Sequence, residues 1–266
     1  MYDKVLRYNI DRERKGIAYI TSEQDKIVLE KMTKEINEHC GTNIHYLAEI
    51  DFYCIHNSGE IMAQYLNRFQ SESVRGFLIP QIVSDKVEDC DKIVLHSYLH
   101  FKDSDEYISG PNEPAPAHIY VRYDNAFRKL KPKRLKTDLL LLAHNPRDAF
   151  YLPFTMRMLA SWKIPEMETV LISYYDSNNI TEKSVDLPEM TENCFPPLSF
   201  IRRELRFTAI DGLKYYPSER TIGMIRKCID EPDKDVSSAA KKALAYIEKH
   251  STKSLKDAKK NENYVD

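Results

Sequence analysis

His96 and His100 stand four residues apart in a stretch with helical patterning. On a helix that spacing puts two imidazoles on one face, the arrangement many metal sites use. No glutamate completes a His-Glu-x-x-His motif and no third ligand is evident, so no metal is assigned. One half-buried and one exposed histidine is the expectation. The five cysteines (Cys40, Cys54, Cys90, Cys194, Cys228) are odd in number, scattered, and form no Cys-x-x-Cys pair, which suggests neither a disulfide framework nor a cysteine zinc site. A nucleophile, a base and an orienting group do not occur together in any motif. The chain is therefore read as a non-enzyme that needs no cofactor.

Charge gives a second set of candidates. From Arg128 to Lys136 six positive side chains occur in nine residues, and Arg202, Arg203 and Arg206 form another cluster. Lys129, Lys131, Lys133, Arg134, Lys136, Arg202, Arg203 and Arg206 are thus the candidate partner-binding residues. They suit a protein with an acidic surface or, as the alternative, a nucleic-acid backbone. The formal net charge is only −2, so acidic stretches balance them, and a solvated linker and helix face is the favoured reading of both clusters. Trp162, Tyr174, Tyr175, Tyr215 and Tyr216 recur near expected helix ends. Exposed, they would anchor a partner, and tyrosines gathered in a dry groove would favour a peptide ligand. Packing between helix layers is expected for most of them.

The elements that position these residues read as helices. Residues 1 to 20 are ambiguous. Thr21-x-x-Gln24 has capping-box spacing, and Ile27, Val28, Met32 and Ile36 follow at helical intervals before Gly41. Ile44 to Ile55 fits both an alternating strand and a helix, and the helical neighbours favour helix. Asn57-x-x-Glu60 repeats the capping pattern. Val74–Val83, kinked at Pro80, and Cys90–Phe101 extend the helical series. Ser109 to Ala117 holds three prolines and a glycine in nine residues and reads as a loop. Helical patterning resumes at Tyr120–Leu130 and Leu135–Ala143, and Asn145-Pro-Arg-Asp148 reads as an inter-helix turn.

Beyond that turn the chain repeats itself. Leu205, Ala209, Leu213 and Tyr216 recur as Val236, Ala240, Leu244 and Ile247, each offset by 31 residues, and a fixed offset of this size marks stacked helical units. Between the copies lie Pro217-Ser218, the stripe Ile222, Ile225 and Ile229, and the acidic run Asp230–Asp235, so the order is helix, tight turn, helix, polar turn, helix. Leu152-Pro-Phe-Thr155 and Pro165–Val170 echo Leu205–Thr208 and Pro217–Ile222 at 52 or 53 residues, which an insertion at 177–197 explains. Leu205, Arg206, Ala209 and Leu213, and again Val236, Ala240, Ala243 and Leu244, resemble the Val-Arg-x-x-Ala-x-x-Ala-Leu second helix of bacterial short HEAT repeats, with Ser237 in place of the arginine in the later copy. The resemblance implies an all-α, right-handed α-α superhelix of HEAT/armadillo type. Two enzymes of that architecture do not extend to this chain. None of its eight histidines precedes a glutamate, against the iron-binding His-Glu pairs of deoxyhypusine hydroxylase. With one tryptophan, Trp162, and no net positive charge, it lacks the site residues of repeat-built alkyl-purine DNA glycosylases.

Composition agrees with a helical protein. Charged residues make up 30% and apolar ones 42%, with only seven glycines, fewer than turn-rich all-β folds need. No apolar run approaches a membrane span and the first residues lack a signal-peptide core, so a cytoplasmic location is expected. The organisation expected is an N-terminal helical region over 1–103, a proline-rich loop at 104–119, a repeat array over 120–250 with an inserted loop at 177–197, and a disordered tail at 251–266. A repeat array offers a long surface, so the expected function is a protein-binding scaffold or adaptor, with a nucleic-acid-associated protein as the alternative.

Overall fold

The structure, a computed structural model, describes residues 2–15, 22–53, 55–102, 116–181, 183–185 and 198–262, and every regular element among them is an α-helix or a short 3₁₀ turn. The all-α expectation holds. Residues 16–21 (including Thr21), the proline-rich segment 103–115, residues 186–197 of the expected insertion and the last four residues lie outside the described set. The described chain forms two units, one through Leu135 and one from Lys136 onward.

The first unit contains α1 (Tyr2–Arg14), α2 (Glu23–Cys40), α3 (Leu47–Tyr53), α4 (Gly59–Leu66), α5 (Glu72–Ser84), α6 (Cys90–Lys102) and α7 (Pro116–Leu130). Helix α5 is buried on nearly all sides and touches α3, α4, α6 and α7. A helix apolar all round belongs at a core centre, and α5 runs unbroken through Pro80. Close approach of α7 depends on Gly76, where an added Cβ would sit 3.0 Å from Ile119. Tyr98, Phe101, Tyr120, Tyr123 and Phe127 fill the α6–α7 contact. The Tyr98 and Tyr123 rings lie 5.4 Å apart edge to face, and Phe101 packs against Tyr120 at 5.1 Å, geometries that aromatic quadrupoles favour. These rings fix α7 to the first unit. The division between the two units falls after Leu135.

Three helix starts here draw on carboxylates from a distance, while Ser22 and Ser71 cap α2 and α5 locally. Buried Asp25 accepts from Gln70 N (2.7 Å) and Ser71 N (3.0 Å) ahead of α5. Glu13 accepts from Leu47 N (2.8 Å) and Ala48 N (3.1 Å) at α3, and Asp85 accepts from Gly59 N (2.7 Å) at α4. A negative group at a helix N-terminus answers both the orphan N–H donors and the dipole. Of the two local cap expectations, that on Thr21 falls outside the described residues. Ser22 caps α2, accepting from Asp25 N. Asn57 lies at φ 64, outside the extended conformation a cap residue adopts, and leaves the start of α4 to Asp85. The ambiguous stretch 44–56 is helical over Leu47–Tyr53, with Ile44 pinned through both its N–H and its C=O by the Asn37 side chain.

The second unit contains α8 (Lys136–His144), α9 (Pro146–Tyr151), α10 (Pro153–Ser161), α11 (Pro165–Tyr175), α12 (Leu198–Leu213), α13 (Glu219–Lys227) and α14 (Lys234–Glu262). Its helix starts are capped locally. Asn145 accepts from Arg147 N and Asp148 N, Ser218 and Thr221 form a capping box, and Asp233 accepts from Asp235 N and Val236 N. Pro153 breaks α9 from α10. Helix α12 touches α10 on one side and α14 on the other, with α11 and α13 packed alongside. Small residues make this approach possible: Ala160, Ala209, Ala240 and Ala243 are fully buried, and a Cβ on Gly212 would meet Leu171 at 2.8 Å and Ala160 at 3.4 Å. The helix, turn, helix, turn, helix order and the buried repeat positions Leu205, Ala209, Leu213, Val236, Ala240 and Ile247 agree with the sequence reading, while Leu244 is half-buried. Helix α14 runs on to Glu262, into the segment expected to be disordered. Its Lys, Ala, Glu and Leu content supplies helix propensity.

Candidate functional site

The second unit carries an open cleft of about 460 Å³ lined by Ile172, Tyr175, Asp176, Asn178, Arg206, Arg220 and Met224. It forms where the end of α11 and the 3₁₀ turn Ser177–Asn179 meet α12 and the first turns of α13. The floor is held in place. Tyr175 donates its hydroxyl to Met224 O (3.0 Å), and the Arg206 guanidinium lies 5.2 Å from the Tyr175 ring centroid while pairing with Glu231. Burial, followed by the Cys228 thiol contact, pushes the Tyr175 hydroxyl up to about 12, so this tyrosine stays protonated and acts as a donor. Burial likewise raises the Cys228 thiol, and it stays a thiol rather than a nucleophilic thiolate.

The rim is polar and open. Arg220, Asp176 and Asn178 are exposed, and the side chains of Arg220 and Asp176 make no ion pair with any described residue. Ile172 and Met224 are half-buried between rim and floor. The cleft therefore offers an apolar, aromatic-backed bottom with a donor and an acceptor at its mouth.

The candidates chosen for charge have different fates. Arg202 donates Nε (2.8 Å) and Nη2 (2.5 Å) to Ile180 O and so clasps the chain after α11. Arg203 pairs with Glu204 (3.2 Å), Asp233 (3.4 Å) and Asp235 (2.9 Å). Arg206 pairs with Glu231. Arg203 and Arg206 are thus neutralised by the acidic turn before α14, whereas Arg202 keeps its charge and is held by a backbone carbonyl. In the first unit, Arg134 Nε reaches Asp91 (2.6 Å) and its Nη2 reaches Asp89 (2.7 Å), holding both carboxyls below the usual range by hydrogen bonding. Lys129, Lys131 and Lys133 of the first unit and Lys136 of the second are exposed.

The histidine pair separates. Both are exposed, against the expectation of one half-buried ring, but only His100 is engaged, its Nδ1 lying 2.6 Å from the buried Glu72 Oε1, which Arg75 also meets at 3.0 Å. Among the described residues no group of three or more His, Cys, Asp or Glu side chains is arranged to hold a metal. Tyr174 donates to Ala143 O and Tyr216 to Ile164 O, so these two rings tie helix layers together. Of the five aromatic candidates only Tyr175 lines the cleft, and of the charge candidates only Arg206 does. Arg220 had a legible signal, a lone exposed cation at the start of a striped helix; Asp176 and Asn178 had none. No helix among the described residues is long and apolar enough to cross a membrane. Compared with protein-family models, curated proteins and solved structures, the chain matches none.

Proposed function

We propose that the second unit is a segment of HEAT-type right-handed solenoid and that the protein is a non-enzymatic, cytoplasmic scaffold that binds another protein. The observation that carries this reading is the side-by-side packing of α10, α12 and α14 through small residues at repeat-related positions, with α11 and α13 alongside. Units that bury their apolar faces only against neighbours produce an extended surface, and such surfaces serve macromolecular recognition. The neutralised arginines support a protein partner over nucleic acid. A phosphate backbone is bound by free cations that displace its own condensed counterions, and Arg134, Arg203 and Arg206 are already paired with carboxylates while Arg202 holds Ile180 O. The nucleic-acid alternative is left with the exposed lysines 129, 131, 133 and 136. Capture from an extract of the native cell by the full chain tests the reading. A single protein retained through a high-salt wash supports it; retention of nucleic acid alone, released steeply by salt, overturns it.

A further inference from the structure

We propose that the cleft between α11, the Ser177–Asn179 turn and α13 seats one large apolar side chain of an extended peptide segment from the partner protein, with the flanking peptide groups held at its rim. This deepens the scaffold reading and rests on it.

The floor supplies the apolar seat. Ile172, Met224 and the Tyr175 ring present hydrocarbon and aromatic surface, and the stacked Arg206 contributes a flat guanidinium face. Both polar members of the floor are committed elsewhere, Tyr175 to Met224 O and Arg206 to Glu231, so a ligand side chain meets a preorganised surface and need not reorder it. The rim selects what surrounds that side chain. Arg220 donates only, Asp176 as a carboxylate accepts only, and the Asn178 amide does both. A peptide group carries one donor and one acceptor, and two successive groups match this mixed rim. A phosphate or carboxylate ligand would meet Arg220 but also the like charge of Asp176, and Arg206 beneath is neutralised. The volume, about 460 Å³, lies in the range of small-ligand clefts and accommodates a leucine, methionine or phenylalanine with its neighbouring amides.

The test uses the full chain with its methionine methyls ¹³C-labelled, the Met224 signal being identified by its loss in Met224→Leu. N-acetyl-leucinamide, N-acetyl-glycinamide and inorganic phosphate are titrated separately. The leucine amide should shift Met224 saturably, and the glycine amide should bind at least about tenfold more weakly, because it lacks the apolar side chain. Arg220→Gln, on the exposed rim, should weaken the leucine amide by about threefold through the lost hydrogen bond while the methyl spectrum remains folded. Equal response to both amides, a Met224 shift driven by phosphate, or no shift with any probe overturns the assignment. In the capture experiment, a partner held equally by wild type, Arg220→Gln and Met224→Asp would remove the cleft while leaving the scaffold reading standing. Absence of any captured protein would remove the scaffold reading itself.

Discussion

The two units are both all-helical but are held together by different means. In the first, three helix starts draw on carboxylates 26 to 46 residues away, Glu13 for α3, Asp85 for α4 and Asp25 for the entry to α5, beside local caps from Ser22 on α2 and Ser71 on α5. In the second, α9, α13 and α14 are capped from within three residues, by Asn145, Ser218 and Asp233. There α10 and α11 start on prolines without a side-chain cap, and α12 meets α10 and α14 where small residues are buried. A unit of the first kind depends on particular long-range partners. One of the second kind depends on a pattern that can be repeated, which is what a surface built by stacking requires.

The sharpest way to break this contrast is Ala240→Asp. Ala240 is fully buried between α12 and α14, and an unpaired carboxylate there should cost about 3 kcal/mol or more, read by urea unfolding. An unchanged transition would show that the small-residue contact is not a packed interface. Asp25→Ala comes next. It strips two charge-assisted acceptors from Gln70 N and Ser71 N and should cost about 2 kcal/mol, whereas Ser218→Ala, a local cap in the second unit, should cost about 1 kcal/mol. Equal costs would erase the distinction between remote and local capping.

Glu13 adds a pH dependence. Burial raises its carboxyl above the ordinary glutamate value against the lowering effect of Leu47 N and Ala48 N. A raised folded value means that its contribution to stability is present below the unfolded value and is lost as pH rises through the folded one. Glu13→Gln should therefore flatten the stability profile across that window; a profile identical to wild type would contradict the assignment. The smallest effect is expected at Arg134. Arg134→Met should let the Asp91 carboxyl titrate at higher pH, visible in a carboxyl ¹³C titration, with at most a small loss of stability because the Arg134 end of the pair is open to solvent.

How much of this was legible in the sequence follows from the same contrast. The buried positions of α12 and α14 could be read from helical spacing: Leu205, Ala209 and Leu213, and Val236, Ala240 and Ile247, each form one stripe and are buried. The boundary could not be read, because Tyr120, Tyr123 and Phe127 mark a buried stripe on α7 without saying which helix covers it, and α5 and α6 do. The caps by Asp25 and Glu13 left no trace, since capping patterns are local and these partners are remote. Arg202, Arg203 and Arg206 were visible as charge, but their engagement was not, although the acidic run Asp230–Asp235 stands where a repeat turn would bring it to the preceding helix. The cleft needed three helices and a turn to be placed before Tyr175, Arg206 and Arg220 could be seen as neighbours.

The central claim is that the working surface belongs to the stacked second unit and not to the basic segment. It is tested most directly by capturing partners with the wild-type chain and with a variant in which Lys129, Lys131, Lys133 and Lys136 are all glutamine. The account predicts the same protein partner on both, retained through high salt. Nucleic acid bound by the wild type, released by salt and lost in the variant, would contradict it.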